Sequence, residues 1–516
     1  MTASTASCPM SRLTMLGIAA VVLISCGGEQ MAGIQGSGVT TPADASGTAV
    51  GAITAFGSIF VNGVEYSTAG AEITIDDQSG TEEQLRVGQI VTIKGRVSDD
   101  DRTGIATEVS FVPDTRGAIA QLNTSAGMFV VLGQTVQVTD TTVLSDSIQP
   151  ANIEGLHAGD VVEISGFADS AGNLVASRID IESSGALLQV KGTVAGLDTN
   201  AQTFHINDLT VDYSGIALQG TLANGTMVSV KGTAAAPTGP LQASSIKTLP
   251  SVAGAANERG DVQGLITSFT SQADFVVNGQ RVATDAQTQF ILHDRTLGVN
   301  LLVKVKGTFN GAGVLVATKV EAKPQGSGQG NGDAGADENG SGNGNGSGGS
   351  GSETANAGGN QSPSASADIV RGLIDSVSGN ALKVLGVSVT TTPDTTFNDR
   401  SQQHLRTLGV KDLRAGDYIE VRGVASPSQE LRANVVERDK AESRSYLQGL
   451  ATRVAAPELS VLGITVTTDA QTHFMGAQND AKGADEFFDQ VANHVVKVRG
   501  TFAAGVLLAD QVQIKQ

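Results

Sequence analysis

The chain has 516 residues, 64 of them glycine, with no tryptophan and 4% aromatics. This composition excludes large aromatic-rich cores and favours small β-rich units joined by glycine turns. A net charge of −19 argues against nucleic acid as a partner, because a polyanion repels phosphates, and a single long apolar run excludes a protein that crosses a membrane many times.

That run, Leu13 to Ile24, reads as the apolar core of a signal peptide over residues 1–25, and at twelve residues it is too short to span a bilayer. Leu23-Ile24-Ser25-Cys26-Gly27 follows directly and resembles the bacterial lipobox, in which a small residue precedes a cysteine that is acylated and becomes the mature N-terminus. Cys26 is therefore the expected lipidation site; the competing reading is an ordinary cleaved signal with an incidental cysteine. At about 0.8 kcal/mol per buried methylene, two or three acyl chains would hold the protein on a membrane. Gly27 stands where an aspartate would favour retention in the inner membrane, so the resemblance implies a bacterial envelope protein of the outer membrane, facing the periplasm or the cell surface. The other cysteine, Cys8, falls in the removed segment, which leaves no disulfide to support the fold. Residues 26–48 read as a flexible tether.

The remainder is repetitive. An apolar residue, a variable residue and glycine end a strand at Gly95, Gly166, Gly232, Gly307, Gly423 and Gly500, and an Ala-x-x-Ile/Val strand follows each. Each unit opens on another glycine (Gly51, Gly117, Gly192, Gly264, Gly372, Gly449) and continues into a hairpin. Asn62-Gly63 and Asn278-Gly279 carry the strongest short hairpin signal, since both turn positions need positive φ. Leu132-Gly133, Leu385-Gly386 and Leu462-Gly463 replace them in three copies, and Asn207-Asp208 predicts a different turn in the third. Five short strands per unit suit a small closed barrel of the OB type, with an SH3-like roll or short sandwich as alternatives.

The fold class is thus all-β: six tandem five-stranded barrels over residues 49–113, 116–183, 187–249, 259–322, 369–438 and 446–516. Residues 323–368 form a Gly/Ser/Asn-rich stretch without apolar periodicity, expected to be a disordered linker between the fourth and fifth barrels. Each barrel is expected to close its own core, the first four packing end to end and the last two moving as a separate pair.

ITAFGSIFVNGVEY, LRVGQIVTIKGRV and GIATEVSF in the first copy resemble the bacterial envelope family known as domain of unknown function 5666, most closely in copies one and four. The resemblance implies a small β-barrel fold and a secreted or lipoprotein setting, and brings no catalytic residues.

Candidate chemistry is tested by recurrence between copies. His157, His205, His293, His404, His473 and His494 occupy no common position, so no metal site is expected. Asp160 and Glu163 match Asp417 and Glu420, a pair that would suit a hydrolase, yet Gln89 and Thr92 stand there in the first copy; a solvent-facing strand row is favoured. Asp333, Asp337 and Glu338 lack the repeated pattern of a calcium-binding β-helix, and no phosphate-binding loop occurs. Lys94, Lys231, Lys306, Arg422 and Arg499 recur before the strand-end glycine, either as an anion-binding row or, as favoured here, as solvated residues opposite a core valine. The expectation is a non-enzymatic, lipid-anchored envelope scaffold, a spacer or binding array without cofactor or metal. Its partners would be the membrane through its anchor and an envelope polysaccharide or protein. The alternatives are a carbohydrate- or envelope-polymer-binding array and a hydrolase using the paired carboxylates.

Overall fold

The computed structural model describes residues 46–515 except 184, 219–220, 235–238, 250–253, 293–294, 324–367 and 478–479. Cys26, the tether before Ser46 and nearly all of the Gly/Ser/Asn-rich stretch lie outside the described residues. Among those described, no helix is long and apolar enough to cross a membrane.

The first repeat shows the plan. Its opening strand, Ser46–Ala55, pairs antiparallel with Ile59–Val61, which turns back into Val64–Ser67. That third strand runs parallel to the last, Thr103–Phe111, which pairs with the fourth, Ile90–Val97, and the fourth closes on the opening strand. The circuit 1-2-3-5-4-1 is a closed five-stranded barrel of the OB type. The same circuit recurs in repeats two, four, five and six. In repeat three the opening strand is interrupted at Val194, between Leu188–Thr193 and Ala195–Asp198, and each part takes one neighbour of the circuit. The third hairpin also has its own turn, with Asn207 alone at positive φ, whereas Asn62-Gly63 and Leu385-Gly386 have positive φ at both positions.

Both recurrent glycines have a steric cause. At each strand-end glycine the fourth and fifth strands slip register in a bulge, as at Lys94/Gly95. A Cβ on Gly95 would meet the Ile105 carbonyl oxygen well inside van der Waals contact, and one on Gly307 would meet that of Val316. The opening glycine lies beneath the hairpin turn: a Cβ on Gly372 would strike the Leu385 side chain, and one on Gly264 that of Asn278.

Four of the six barrels do not close separate cores, whereas repeats one and four have a cluster each. Repeats two and three share one apolar cluster and repeats five and six another. Their opening strands pair antiparallel across each junction, Arg116 opposite Gln189 and Arg371 opposite Tyr446. Repeat one pairs with repeat four, Gly47–Val50 running parallel to Arg259–Val262, so Val50 belongs to the fourth repeat's core while Ala49 belongs to the first's. Residues 47–51 are consequently buried without a break instead of alternating. The order along the chain is therefore not the order in space: the second and third barrels are a pair inserted between two halves of another.

Repeats five and six are docked on the others, contrary to the expectation of a free pair. The Arg406 guanidinium stacks 3.8 Å from the Phe56 ring centre and donates to the Glu82 carbonyl of repeat one. Arg400 donates to the Ile148 carbonyl of repeat two at 3.1 Å. Lys323 and Lys304 of repeat four, both buried, reach Asp394 of repeat five at 2.6 and 3.5 Å. A buried lysine requires a carboxylate partner, and here Asp394 from the other half of the chain joins Glu321 of repeat four in that role.

Candidate functional site

The paired opening strands leave one outward sheet face at each junction, and the residues before the two recurrent glycines lie on it. In the pair formed by repeats two and three, register places Glu163, Arg116, Gln189, Lys231 and Ser245 in one row across five strands. Arg116 Nε donates to Glu163 at 3.0 Å. The remaining positive charge on this face takes an acidic turn of repeat one. Asp76 and Asp77 form the tip between two short outer strands, Glu72–Ile75 and Gln78–Ser79, both tip residues at positive φ. Asp76 lies 3.2 Å from Arg116 and 2.8 Å from Lys231, and Asp77 is held by Lys231 at 3.3 Å and Lys247 at 2.5 Å. Burial works against the Asp77 charge, but hydrogen bonds from the two lysines outweigh it, and its pKa is lowered.

The equivalent face of repeats five and six carries Glu420, Arg371, Tyr446, Arg499 and Gln511 in register, with Lys497 where repeat three has Ser229. Here the neighbour is repeat two, and the contact leaves a cleft of about 520 Å³. Segments 138–144 and 150–154 of repeat two form one wall. Arg422 crosses to it, donating to the carbonyls of Asp140 and Thr142 at 2.9 and 3.1 Å while pairing with Glu437 of its own barrel. Arg371 is neutralised from its own side by Glu442 at 2.7 Å and Asp439 at 3.4 Å, and its buried Nε has no hydrogen-bond partner. The Lys497 ammonium sits 5.5 Å from the Tyr446 ring centre. Burial lowers the pKa of nearby Lys515, and repulsion from Lys497 adds to that.

The recurrent cations are thus mostly joints between barrels, which corrects the reading of them as solvated. Lys231 and Arg422 bridge as described, and Lys306 meets Asp101 of repeat one at 3.1 Å. Lys94 remains exposed with its own Glu108, and Arg499 is exposed. The matched carboxylates have separate duties. Asp160 accepts from the His157 backbone N–H and Asp417 from that of Arg414, each at 2.8 Å, closing the turn before the fourth strand. Gln89 does the same for Arg86 in repeat one, so this position requires a side-chain acceptor and not an acid. Glu163 and Glu420 instead face the arginines across the strand, Arg116 and Arg371. Burial raises the Glu163 pKa against the pull of Arg116.

No two of the described histidines meet at a common centre, and among the described residues no group of three metal-ligating side chains occurs. His157 lies 3.5 Å from Asp160, His404 3.1 Å from Asp146, and His205 contacts Thr210. His293, Asp333, Asp337, Glu338 and Cys26 lie outside the described residues. Arg371, Tyr446 and Lys497 are not apparent as site residues from the sequence. The available signal was the arginine before the opening glycine, present in the two copies, Arg116 and Arg371, that also carry a glutamate opposite it.

No curated protein matches the chain. A family model described as a domain of unknown function (DUF5666) matches residues 49–110, 116–180, 184–247, 263–321, 371–437 and 448–513. Each match falls on one barrel and together they cover well over half of the chain, which therefore belongs to this family as an array of six of its domains.

Proposed function

We propose that the chain is a non-enzymatic scaffold of the bacterial envelope, anchored by acylation of Cys26 in the outer membrane and facing the periplasm or the cell surface. The observation that carries the scaffold reading is where the recurrent charges go. Positions that could have formed a repeated binding or acid–base site instead join one barrel to the next, as Lys231 does with Asp76 and Lys306 with Asp101. An array built in this way holds its barrel surfaces in a fixed arrangement relative to one another and offers the junctions, more than the single barrels, for contact with an envelope polysaccharide or protein. The anchor reading is supported by the Leu23-Ile24-Ser25-Cys26 segment.

The test is Cys26→Ala, with fractionation of cells and labelling by a fatty-acid probe. The wild type is expected in the outer-membrane fraction with label, and the variant without label and released from the membrane. An unlabelled wild type, or a variant that stays membrane-bound, overturns the anchor.

A further inference from the structure

Five of the barrels carry a further strand outside the closed circuit. Glu72–Ile75, Val143–Leu144, Gln289–Ile291, Thr396–Asp399 and His473–Met475 each run parallel to the end of the fifth strand of their repeat. In each, a large apolar residue (Ile73, Leu144, Phe290, Phe397, Phe474) lies opposite an apolar residue of the fifth strand. Those opposite residues, Val109, Ile179, Val320, Val436 and Val512, are fully buried. Repeat three differs. Among the described residues its fifth strand, Leu241–Thr248, is flanked only by the fourth strand and, at Leu241 and Gln242, by the third. Ile246, which matches the five buried residues in register, is only half-buried. The connector accounts for the difference. Ile216 N–H donates to the Tyr213 carbonyl as Thr142 N–H does to that of Thr139, so the two residues are equivalent. Thr142, Thr288, Thr395 and Thr472 each donate a hydroxyl to a fifth-strand alanine carbonyl at 2.7–2.8 Å, and Ile216 has no hydroxyl to offer Ala243. Leu218, two residues further on as Leu144 is from Thr142, is exposed.

The edge offers backbone groups as well as an apolar side chain. Leu249 N–H donates to the Met227 carbonyl of the fourth strand at 2.9 Å, so by alternation Ile246 and Thr248 direct their own N–H and C=O groups outward along the edge. The edge also adjoins an established interface, since Lys247, between these two residues, is held by Asp77 of repeat one. We propose that this edge of repeat three is a docking site for an extended segment of another polypeptide, which supplies the missing strand. The segment carries a threonine two residues before a large apolar or aromatic residue. Its hydroxyl takes the Ala243 carbonyl, its backbone pairs in parallel with Ile246 and Thr248, and its apolar side chain covers Ile246. Thr288 and Gln289–Ile291 do the same within repeat four, with Phe290 opposite Val320. An unpaired strand edge is a template for such addition, with main-chain bonds giving affinity and the covered side chain giving specificity. The inference goes beyond the scaffold reading and is separable from the anchor, since its test reads peptide binding by the full chain and not membrane attachment.

The probe is a fluorescently labelled peptide of residues 285–292, titrated with the full chain and followed by anisotropy, with hydrogen exchange locating the contact. Its control is the same peptide with Phe290→Asp. In the free chain, residues 241–249 should exchange faster than residues 315–322, and the peptide should slow exchange over 241–249 alone. Thr248→Pro in the chain removes a donor from the open edge and none from the ladder with the fourth strand, and should weaken binding about tenfold or more. Ile246→Ala, which keeps the strand and shortens the side chain to be covered, should weaken it in the same direction. The proposal is overturned if the peptide does not bind, if the control binds alike, or if both variants bind as the wild type does. Protection of 315–322 in place of 241–249 would also overturn it, because the peptide would then be replacing the strand of repeat four. So would equal protection of the two segments in the free chain, which would mean that the connector 213–226 closes the edge itself.

Discussion

Val50→Ala tests whether a residue of repeat one completes the core of repeat four, far away in sequence. Val50 sits in repeat one but is 3% exposed within the apolar cluster of repeat four, opposite Val262 in the parallel pairing. Truncation removes two methyl groups, at about 0.8 kcal/mol each for lost transfer energy, and leaves a cavity that the surrounding strands cannot fill. The expected cost is about 2–3 kcal/mol. At 1.4 kcal/mol per tenfold, a loss of about 2 kcal/mol raises the open population by roughly thirtyfold. Hydrogen exchange read by mass spectrometry on the full chain locates the effect. Peptides covering Leu302–Phe309 and Leu315–Ala322 of repeat four should exchange faster, together with those of the opening strand of repeat one. Peptides from repeat six, whose core is separate, should be unchanged. Acceleration confined to repeat one would refute the place of Val50 in the core of repeat four, and with it the parallel junction.

Two further outcomes follow from the packing. Gly307→Ala places a methyl group against the Val316 carbonyl at the bulge, and forcing the strands apart should cost about 1–3 kcal/mol, read as a lowered thermal midpoint and faster exchange in repeat four. Acid should loosen the contact between repeats four and five. Burial opposes the charges of Glu321 and Asp394, but bonds and attraction from Lys304 and Lys323 outweigh it, holding Glu321 down at about 2 and lowering Asp394. Carboxylates depressed in the folded state stabilise it fully above their unfolded pKa, and that stabilisation is lost as pH falls from about 4 to about 2. Small-angle scattering across that range should show the docked halves separating in the wild type, with Asp394→Asn already looser at neutral pH; a wild-type shape constant down to pH 2 would refute the role of this cluster.

Local signals in the sequence reached as far as the single barrel. Asn62-Gly63 and Leu385-Gly386 announced their hairpins because positive φ at two successive residues is a backbone property that few side chains tolerate. The strand-end glycines announced the bulge because a carbonyl of the neighbouring strand approaches too closely for a Cβ. These constraints act within a few residues or across one strand pair, so they recur with the repeat and are visible in one chain. The short helix Ala484–Gln490 escaped because it occurs in a single copy, where its Phe487 fills the core of the last pair.

Which barrels pair was decided only in three dimensions. The opening strands of repeats one, two and five are alike in sequence, yet one runs parallel to its partner strand and the other two antiparallel. That choice depends on apolar surfaces such as Val50 meeting across more than two hundred residues, and no periodicity records it. The strand-end cations show the same division. Sequence determined that a lysine or arginine stands before the bulge glycine. Tertiary packing decided that Lys231, Lys306 and Arg422 would find oxygen partners on a neighbouring barrel, and that Arg499 would stand exposed at the cleft walled by repeat two. The physical reason is that a charge on a strand acquires its role from whatever surface is brought within a few ångströms of it, and that surface belongs to another part of the chain.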